Sequence, residues 1–298
     1  MMFRILVVGQ LIGVIVLLLA VATLAIVGRD RIAETRAEYR RRFAAVAPYV
    51  GLLAVVLVAN KIARDVGPDL SLLIGFRITG QLQRIDGQLL WPLYPGDTPQ
   101  VVVWLQSMAT PELTAYFAFI YIYGYVFLLV FPLIAYFALS KPEPLRRTIV
   151  AYGANYIIGV LCYIVFIAYG PRNLIIDQAD QLLYSQYAQY QFITTAVNDE
   201  TNVFPSLHTS MAVTAALLAW TTREEYPIWV PVSFVLAVSV VISTMYLGIH
   251  WATDVIFGIV LAWISVRVGI HFEDKPPSFE AFRSRFNVLV DAIPIRSR

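Results

Sequence analysis

Long uninterrupted runs of apolar residues constrain this chain more than any other feature. Several of them exceed the ~18 residues that mark a membrane-spanning helix. Hydrophobic residues make up 59% of the sequence and charged residues only 14%, whereas soluble proteins contain about 45–50% apolar residues. The sequence is therefore that of a membrane protein, and an aqueous enzyme, a nucleic-acid binder and a disordered scaffold are excluded.

The runs predict the fold class all-α, as a polytopic membrane helix bundle. Only helices and closed barrels satisfy the backbone within hydrocarbon, and the runs lack the alternation of barrel strands. We expect about seven spanning helices, within a range of six to eight, because the fifth run is short and polar at its start. The runs are residues 3–27, 43–60, 113–139, 148–170, 204–220, 228–247 and 251–269.

Three regions follow from the positions of these runs. Residues 1–112 hold two spans, a basic linker and an outer segment, residues 113–269 form a membrane core with the candidate chemistry, and residues 270–298 form a cytoplasmic tail. Sixteen of the 22 basic residues lie on one side of the predicted bundle, six of them in the linker 28–42. Cytoplasmic loops carry such an excess, so we expect the amino terminus outside.

A cleaved signal peptide is the alternative for the first run, because Ala20 and Ala22 form an A-x-A pattern after it. Cleavage would leave the basic linker on the translocated side, against the orientation rule. Arginine outnumbers lysine, as in GC-rich genomes, which favours a plasma membrane over a Golgi membrane. We expect an integral protein of the plasma membrane.

The sequence also predicts the structure of the segments outside the spans. The linker 28–42, rich in arginine, is expected to be a helix lying on anionic lipid. Residues 69–80 and 99–109 read as short interfacial or re-entrant helices that act as a lid or pack passively, with a turn over residues 91–99 between them. Residues 273–298 are expected to be an amphipathic or loose tail.

Two of the three histidines open predicted spans. His208 opens the fifth, and His250 opens the last, four residues before Asp254, which is the one carboxylate inside an assigned span. A charged group costs about 2.5 kcal/mol or more in mid-membrane, so Asp254 needs a partner or a role. Four residues apart on a helix, the two side chains share one face, and the carboxylate can orient the imidazole as a nucleophile or base. A structural His–Asp pair is the alternative.

His208 and His250 are expected in the same outer layer, because consecutive spans cross in opposite directions. A second histidine facing the first can act as a general acid. Pro205 and Ser206 suit a helix start, where free N–H groups and a hydroxyl bind anions. These features predict phosphoryl transfer through a phosphohistidine on the extracytoplasmic side. No metal or other cofactor is predicted, since His271 falls near the inner face and no further ligand joins His208, His250 and Asp254.

At these residues the chain resembles the type 2 phosphatidic acid phosphatase superfamily, whose second and third motifs read P-S-x-H and S-R-x5-H-x3-D. Residues 205–208 match the second motif, and Ser243, His250 and Asp254 match the third, with Thr244 in place of the arginine. The F-P-S-L-H form and the missing arginine are similar to the inositol phosphorylceramide synthase branch, the lipid inositolphosphotransferases. The resemblance covers about residues 148–269.

The resemblance implies His250 as the nucleophile, Asp254 as its orienting group and His208 as the acid. The first family motif, K-x6-R-P, is absent, since Val165 stands at the lysine position relative to Arg172. Arg172 nevertheless leaves the fourth span on the outer side, and a lipid headgroup contact is its alternative role. The predicted phosphate ligands are Arg172, Ser206 and Thr244, and the weaker candidates are Lys61, Arg64, Arg77 and Arg84.

The function predicted is a membrane enzyme that moves a phosphoryl group or phospho-headgroup from a membrane lipid to a small alcohol or to water. The motif variant favours an alcohol acceptor, as in an inositolphosphotransferase, and a lipid phosphate phosphatase is the alternative. A transporter using the histidines as a proton or ion path and a structural protein with a relict site are further alternatives. The Tyr184–Tyr190 stretch packs over the site or binds sugar hydroxyls. No nucleic-acid partner is expected, and a homo-oligomer is left open.

Overall fold

The computed structural model describes residues 2–94, 99–187, 189–191 and 203–273. Part of the predicted turn and nearly all of the predicted tail lie outside these residues. The described chain is helical apart from turns and one pair of two-residue strands, Phe76–Arg77 and Phe166–Ile167, which run parallel. The predicted all-α class is confirmed.

The described residues include twelve α-helices, and two π-helical turns extend them. One π-helical turn, Thr23–Val27, continues the first helix, and another, Ile120–Gly124, joins the fifth to the sixth. The helices are α1 (Met2–Ala22), α2 (Arg29–Ile74), α3 (Thr79–Leu89), α4 (Val101–Gln106), α5 (Pro111–Phe119), α6 (Tyr125–Phe137), α7 (Glu143–Val165), α8 (Pro171–Leu174), α9 (Leu182–Gln186), α10 (Leu207–Thr221), α11 (Trp229–Tyr246) and α12 (Ala252–Phe272).

Six helical stretches of the described chain are long and apolar enough to cross a membrane. They are α1, α2, α5 with α6, α7, α11 and α12, each with its π-helical turn where it has one. The number lies within the predicted range of six to eight, and the polytopic bundle is confirmed. The fifth predicted span corresponds to α10, which has only 15 residues.

Helix α10 is the centre of the bundle. It packs against α6, α7, α11 and α12, and most of its residues are buried. Alanine, serine and threonine dominate it, and such small residues let neighbouring backbones approach closely in a membrane. Asn155 of α7 fixes the register, because its amide donates to Thr214 and accepts from Ser210. A helix without a polar face is thus explained by the burial of most of its surface.

The basic linker is helical, as predicted, but its helix is continuous with the second span, and its contact with anionic lipid stays a prediction. Residues 29–74 form one continuous helix of 46 residues. Arg42 is buried and donates to the Ala138 carbonyl at 2.7 Å, just beyond the end of α6, while Arg31 pairs with Glu225 at 2.9 Å. Carbonyls at a helix end lack intrahelical partners and attract cations. These contacts hold the linker against the bundle.

The prediction of one short helix over residues 69–80 is wrong. Helix α2 continues to Ile74, and the chain then forms the short strand that pairs with Phe166–Ile167 before α3 begins at Thr79. Pairing with a partner distant in sequence takes the backbone hydrogen bonds that a helix would have used. The helix predicted over residues 99–109 is present as the shorter helix α4.

Gly258 lets the start of α10 lie directly against α12. A Cβ atom at this position would lie 2.7 Å from the Ser206 carbonyl oxygen and 3.1 Å from the Thr209 Cβ. The Ser206 amide also donates to the Asp254 carbonyl at 3.1 Å. The backbones of the two helices are therefore joined here without an intervening side chain.

We expect Gly258→Ala to lower the free energy of unfolding by about 1–3 kcal/mol, the usual effect of overpacking a close contact. The matched control is Gly153→Ala in α7, where an added Cβ meets nothing within 4 Å and helix propensity favours alanine. Thermal unfolding of both variants in detergent measures the difference. Equal stability of the two variants would contradict a backbone contact at Gly258.

Candidate active site

Helix α11 ends in a turn that places His250. Gly248 adopts a φ of 75°, the left-handed conformation that glycine takes without strain. The Gly248 amide donates to the Met245 carbonyl and the Ile249 amide to the Thr244 carbonyl, which together form a Schellman motif. The His250 amide donates to the same Thr244 carbonyl at 3.0 Å. The backbone of His250 is thereby fixed between α11 and α12.

Asp254 lies beside His250, but not as the sequence predicts. His250 precedes α12, which starts at Ala252, so the two residues do not share a helix face. Instead, Asp254 turns back to accept the Trp251 amide at 2.9 Å, and the same oxygen lies 3.6 Å from Nδ1 of His250. That distance is longer than a hydrogen bond. Catalytic contacts are often long before substrate binds, and this pair can tighten by a small movement.

The His250 ring is buried. Burial and, to a lesser extent, the positive charge of Arg172 lower its pKa to about 3, which favours the neutral form at neutral pH. A neutral imidazole keeps a lone pair on one nitrogen while the other carries the hydrogen. His250 can therefore act as a nucleophile at neutral pH.

His208 faces His250, with 6.5 Å between the ring centres. It lies in the first turn of α10, stacks on Tyr121 with 4.6 Å between ring centres, and contacts the tilted ring of Tyr125 at 4.5 Å. Tyr121 belongs to the π-helical turn, and such turns often occur at functional sites. The two tyrosines fix the ring plane, so one phosphorus centre can be reached from both histidines. The predicted meeting of the two imidazoles is present.

Ser206 and Thr244 both lie close to the histidines, but only the Ser206 hydroxyl can donate to a phosphate. Ser206 caps α10, its hydroxyl oxygen accepting the Thr209 amide, while its own hydrogen remains available to an anion. Pro205 precedes this cap and does not lie in the first turn. The Thr244 hydroxyl donates to the Val241 carbonyl within α11, so it has no hydrogen for a phosphate. Thr244 contributes its carbonyl, which positions His250.

Arg172 lies beside this pair of histidines, in the short helix α8. Its amide donates to the Gly248 carbonyl at 3.0 Å, and its guanidinium lies 4.7 Å over the Tyr184 ring. The Nη1 atom is buried and has no hydrogen-bond partner in the described part of the chain. A buried guanidinium N–H without a partner is costly unless a ligand satisfies it. Arg172 is thus suited to hold an anion next to His250.

Tyr184, Tyr187 and Tyr190 pack over this region, which is one of the two roles predicted for residues 184–190. Tyr184 lies under Arg172, and Tyr187 stacks on Tyr190 at 5.6 Å.

Of the weaker candidates for phosphate binding, Arg64 donates to Asn60 and lies 5.7 Å from the Tyr163 ring centre, while Lys61 pairs with Asp65 on an exposed face.

Asp86 is the residue that sequence reasoning missed. It is fully buried in α3, where its carboxylate accepts the Ala252 amide at 2.6 Å and the Val101 amide at 3.0 Å. It therefore joins α3 and α4 to the first turn of the helix that carries Asp254. The available signal was its spacing of four residues from buried Leu82, which puts a carboxylate on the inner face of a short helix.

Two carboxylates thus meet at the start of α12. Burial raises the pKa of Asp86 to about 6, the two backbone amides oppose this rise, and the charge of Asp254 adds to it. Among the described residues, no group of three histidine, cysteine, aspartate or glutamate side chains is placed to hold a metal ion. Metal independence stays a prediction.

The fold and this polar site define an integral membrane protein with enzyme-like chemistry at one end of the bundle. The sequence profile of the PAP2 superfamily matches residues 97–268, more than half of the chain. The chain belongs to the PAP2 superfamily, which confirms the resemblance at that level. The match begins at residue 97, well before residue 148, and it leaves out Asp86.

An uncharacterized protein of Methanocaldococcus jannaschii is 29% identical to this chain over 164 residues. The aligned part covers 54% of this chain and 63% of the relative, so the chain spans less than two thirds of that protein's length. No solved structure matches the chain.

Titration of Asp86 should appear in the pH dependence of stability. Because its pKa in the folded protein is about 6 against an ordinary 3.8, the folded protein keeps the proton longer than the unfolded chain as pH rises. Its contribution to stability is therefore lost as pH rises through 6. Between pH 5 and 7 we expect the wild type to lose about 1 kcal/mol relative to Asp86→Asn.

Thermal unfolding in detergent at the two pH values measures this difference. The matched control is Asp65→Asn, which removes an exposed carboxylate from α2. We expect it to follow the wild type. An Asp86→Asn protein with the wild-type pH dependence would show that Asp86 does not titrate in this range.

Proposed function

We propose that this protein is a membrane enzyme that transfers a phosphoryl group or phospho-headgroup from a lipid to an acceptor through a phosphohistidine on His250. The observation that carries the proposal is the facing pair of histidine rings, 6.5 Å apart, with a carboxylate beside one of them. Membership of the PAP2 superfamily points to lipid phosphatase or phosphotransferase chemistry. No metal or other cofactor takes part in the proposed reaction.

In the first step, His250 attacks the phosphorus of the lipid. Its Nδ1 lies 3.6 Å from Asp254, so Nδ1–H faces the carboxylate and the Nε2 lone pair attacks. The N–P bond forms while the bond from phosphorus to the lipid oxygen breaks. The negative charge of the bound phosphate favours the protonated form of His208, which donates its proton to the departing alkoxide. Arg172 and the Ser206 hydroxyl bind the non-bridging oxygens.

In the second step, an acceptor hydroxyl attacks the same phosphorus. His208, now neutral, takes the acceptor's proton, the O–P bond forms and the N–P bond breaks, which restores His250. With water as acceptor the product is free phosphate or a phosphorylated headgroup, and with an alcohol it is a new phosphate ester. The same two histidines therefore serve both hydrolysis and transfer to an alcohol.

An alcohol acceptor and a diester-like donor are favoured in this proposal. A phosphate monoester carries about −1.5 to −2 charge at neutral pH, more than a diester carries. The family arginine is replaced by Thr244, whose hydroxyl is engaged within α11. The lower positive charge suits a diester, as in the inositol phosphorylceramide synthase branch, and we assign the chain to inositolphosphotransferase-like chemistry on this ground.

The site is proposed to face the extracytoplasmic side of a plasma membrane, with the amino terminus also outside. Arg42 and Arg146 contact the bundle at the end opposite the histidines, at Ala138 and Ala45. Arg31 and Arg223 lie at this same end, near Glu225. An excess of arginine marks the cytoplasmic side, which supports this orientation.

The proposed intermediate can be trapped with a donor labelled at phosphorus. We expect wild-type protein to acquire an acid-labile, alkali-stable label, and His250→Ala to acquire none and to lose turnover. With a nitrophenyl ester, whose leaving group needs no proton, His208→Ala should still form the labelled protein. It should release the label about 10²–10⁴-fold more slowly, the usual contribution of general acid–base catalysis.

His271→Ala is the matched control, because His271 lies at the far end of α12. It should label and turn over like the wild type. All assays are repeated with a chelator, and activity should survive. Labelling of His250→Ala, or activity that chelation abolishes, would contradict the scheme.

The choice between transfer and hydrolysis is tested by partitioning. We expect a millimolar alcohol acceptor, lipid or polyol, to capture most of the label from a diester donor in spite of the excess of water. Thr244→Arg, which restores the family residue, should raise kcat/KM for a monoester relative to the diester about tenfold, since one added cation favours the dianion. Thr244→Ser is the control. Free phosphate as the main product throughout would make the protein a lipid phosphate phosphatase.

A further inference from the structure

A long apolar groove lies between α1 and α6, at the end of the bundle remote from the histidines. The groove is open to the outside; one part has a volume of about 460 Å³ and the next about 470 Å³, and both parts are lined by Thr23 and Ile134. They therefore form one continuous groove. Each volume lies within the ~300–1,000 Å³ of pockets that hold small ligands.

The groove has the length of one lipid leaflet. It follows the first helix from Val16 to Val27, and eleven residues at 1.5 Å each give about 16 Å. The hydrocarbon core of a bilayer is ~30 Å thick, so the groove covers about half of it. An acyl chain of a single leaflet fits this length.

The mouth of the groove is polar and positively charged. Thr35, Arg36 and Tyr39 of α2 line it, and the latter two are exposed. Of the neighbouring arginines, Arg31 pairs with Glu225, and Arg41 and Arg42 pair with Glu38. Arg36 has no ion-pair partner among the described residues, so its charge is available to an outside phosphate.

We propose that this groove binds one anionic glycerophospholipid, with an acyl chain between α1 and α6 and the phosphate at Arg36. The site is separate from the catalytic one. His208 contacts Tyr125 at the start of α6, whereas Phe137 at its end lines the groove. Twelve residues of helix, about 18 Å, separate the two. The lipid belongs to the leaflet on the arginine-rich side.

Native mass spectrometry of the full chain tests this site. The protein is reconstituted in nanodiscs of equal parts phosphatidylglycerol and phosphatidylcholine and then released into mild detergent. We expect the wild type to retain phosphatidylglycerol preferentially. Arg36→Gln should lose about fivefold of this preference, the usual effect of one arginine near anionic lipid. Ile134→Trp, which fills the groove, should retain less of both lipids.

Two controls distinguish binding in the groove from the general attraction of anionic lipid to the protein. Arg223→Gln removes an exposed arginine at the same end, and Leu17→Trp adds bulk on the exposed face of α1. Both should behave like the wild type. An unchanged preference in Arg36→Gln, or an equal loss in Arg223→Gln, would overturn the proposal and leave only annular lipid.

His250→Ala distinguishes this site from the proposed catalytic one. The variant should be inactive and yet keep the retained phosphatidylglycerol, since the groove does not involve His250. Loss of the lipid in His250→Ala would place the lipid at the histidines and overturn the second site, while the proposed catalysis would stand. Retained lipid in an active His250→Ala protein would support the groove and refute the proposed catalysis instead.

Discussion

The amino end of α12 is the junction on which the rest of the site depends. Its first backbone amides have no partners within the helix, and in a membrane such groups must be satisfied by the protein. Asp254 accepts the Trp251 amide and Asp86 the Ala252 amide, while the Ser206 amide donates to the Asp254 carbonyl. Four segments, α3, α4, α10 and α12, therefore meet at one helix end, and the proposed nucleophile lies immediately before it.

Polar atoms without partners concentrate next to this junction. Nη1 of Arg172, Nδ1 of His250 and Oδ1 of Asp254 are buried and have no hydrogen-bond partner in the described part of the chain. Native proteins satisfy most buried polar atoms, and the exceptions call for an explanation. The Arg172 guanidinium is explained by an anionic ligand that would bind there, and the two atoms of His250 and Asp254 can satisfy each other if that pair tightens from its 3.6 Å separation.

Much of the fold and the core of the site could be predicted from the sequence. The apolar runs located the spans because membrane helices are selected by length and hydropathy alone. The pairing of His208 with His250 followed from the alternating direction of spans. The local geometry could not be predicted, because spacing assumes a continuous helix, and Gly248 instead turns the chain so that His250 precedes α12. Residues 69–80 were misread for a similar reason, since pairing with the distant strand Phe166–Ile167 decided their structure.

The sequence by itself determined that this chain is a helical membrane protein with two histidines and a carboxylate at one layer. Hydropathy and residue spacing can be read along the chain without knowledge of its tertiary contacts. Only the tertiary structure decided which groups complete the site. Asp86 and Tyr121 are far from the motifs along the chain, and their roles arise from burial and contact after the helices pack. Helix α10 shows the same division, since its residues predict an apolar segment but its central position depends on the four helices around it.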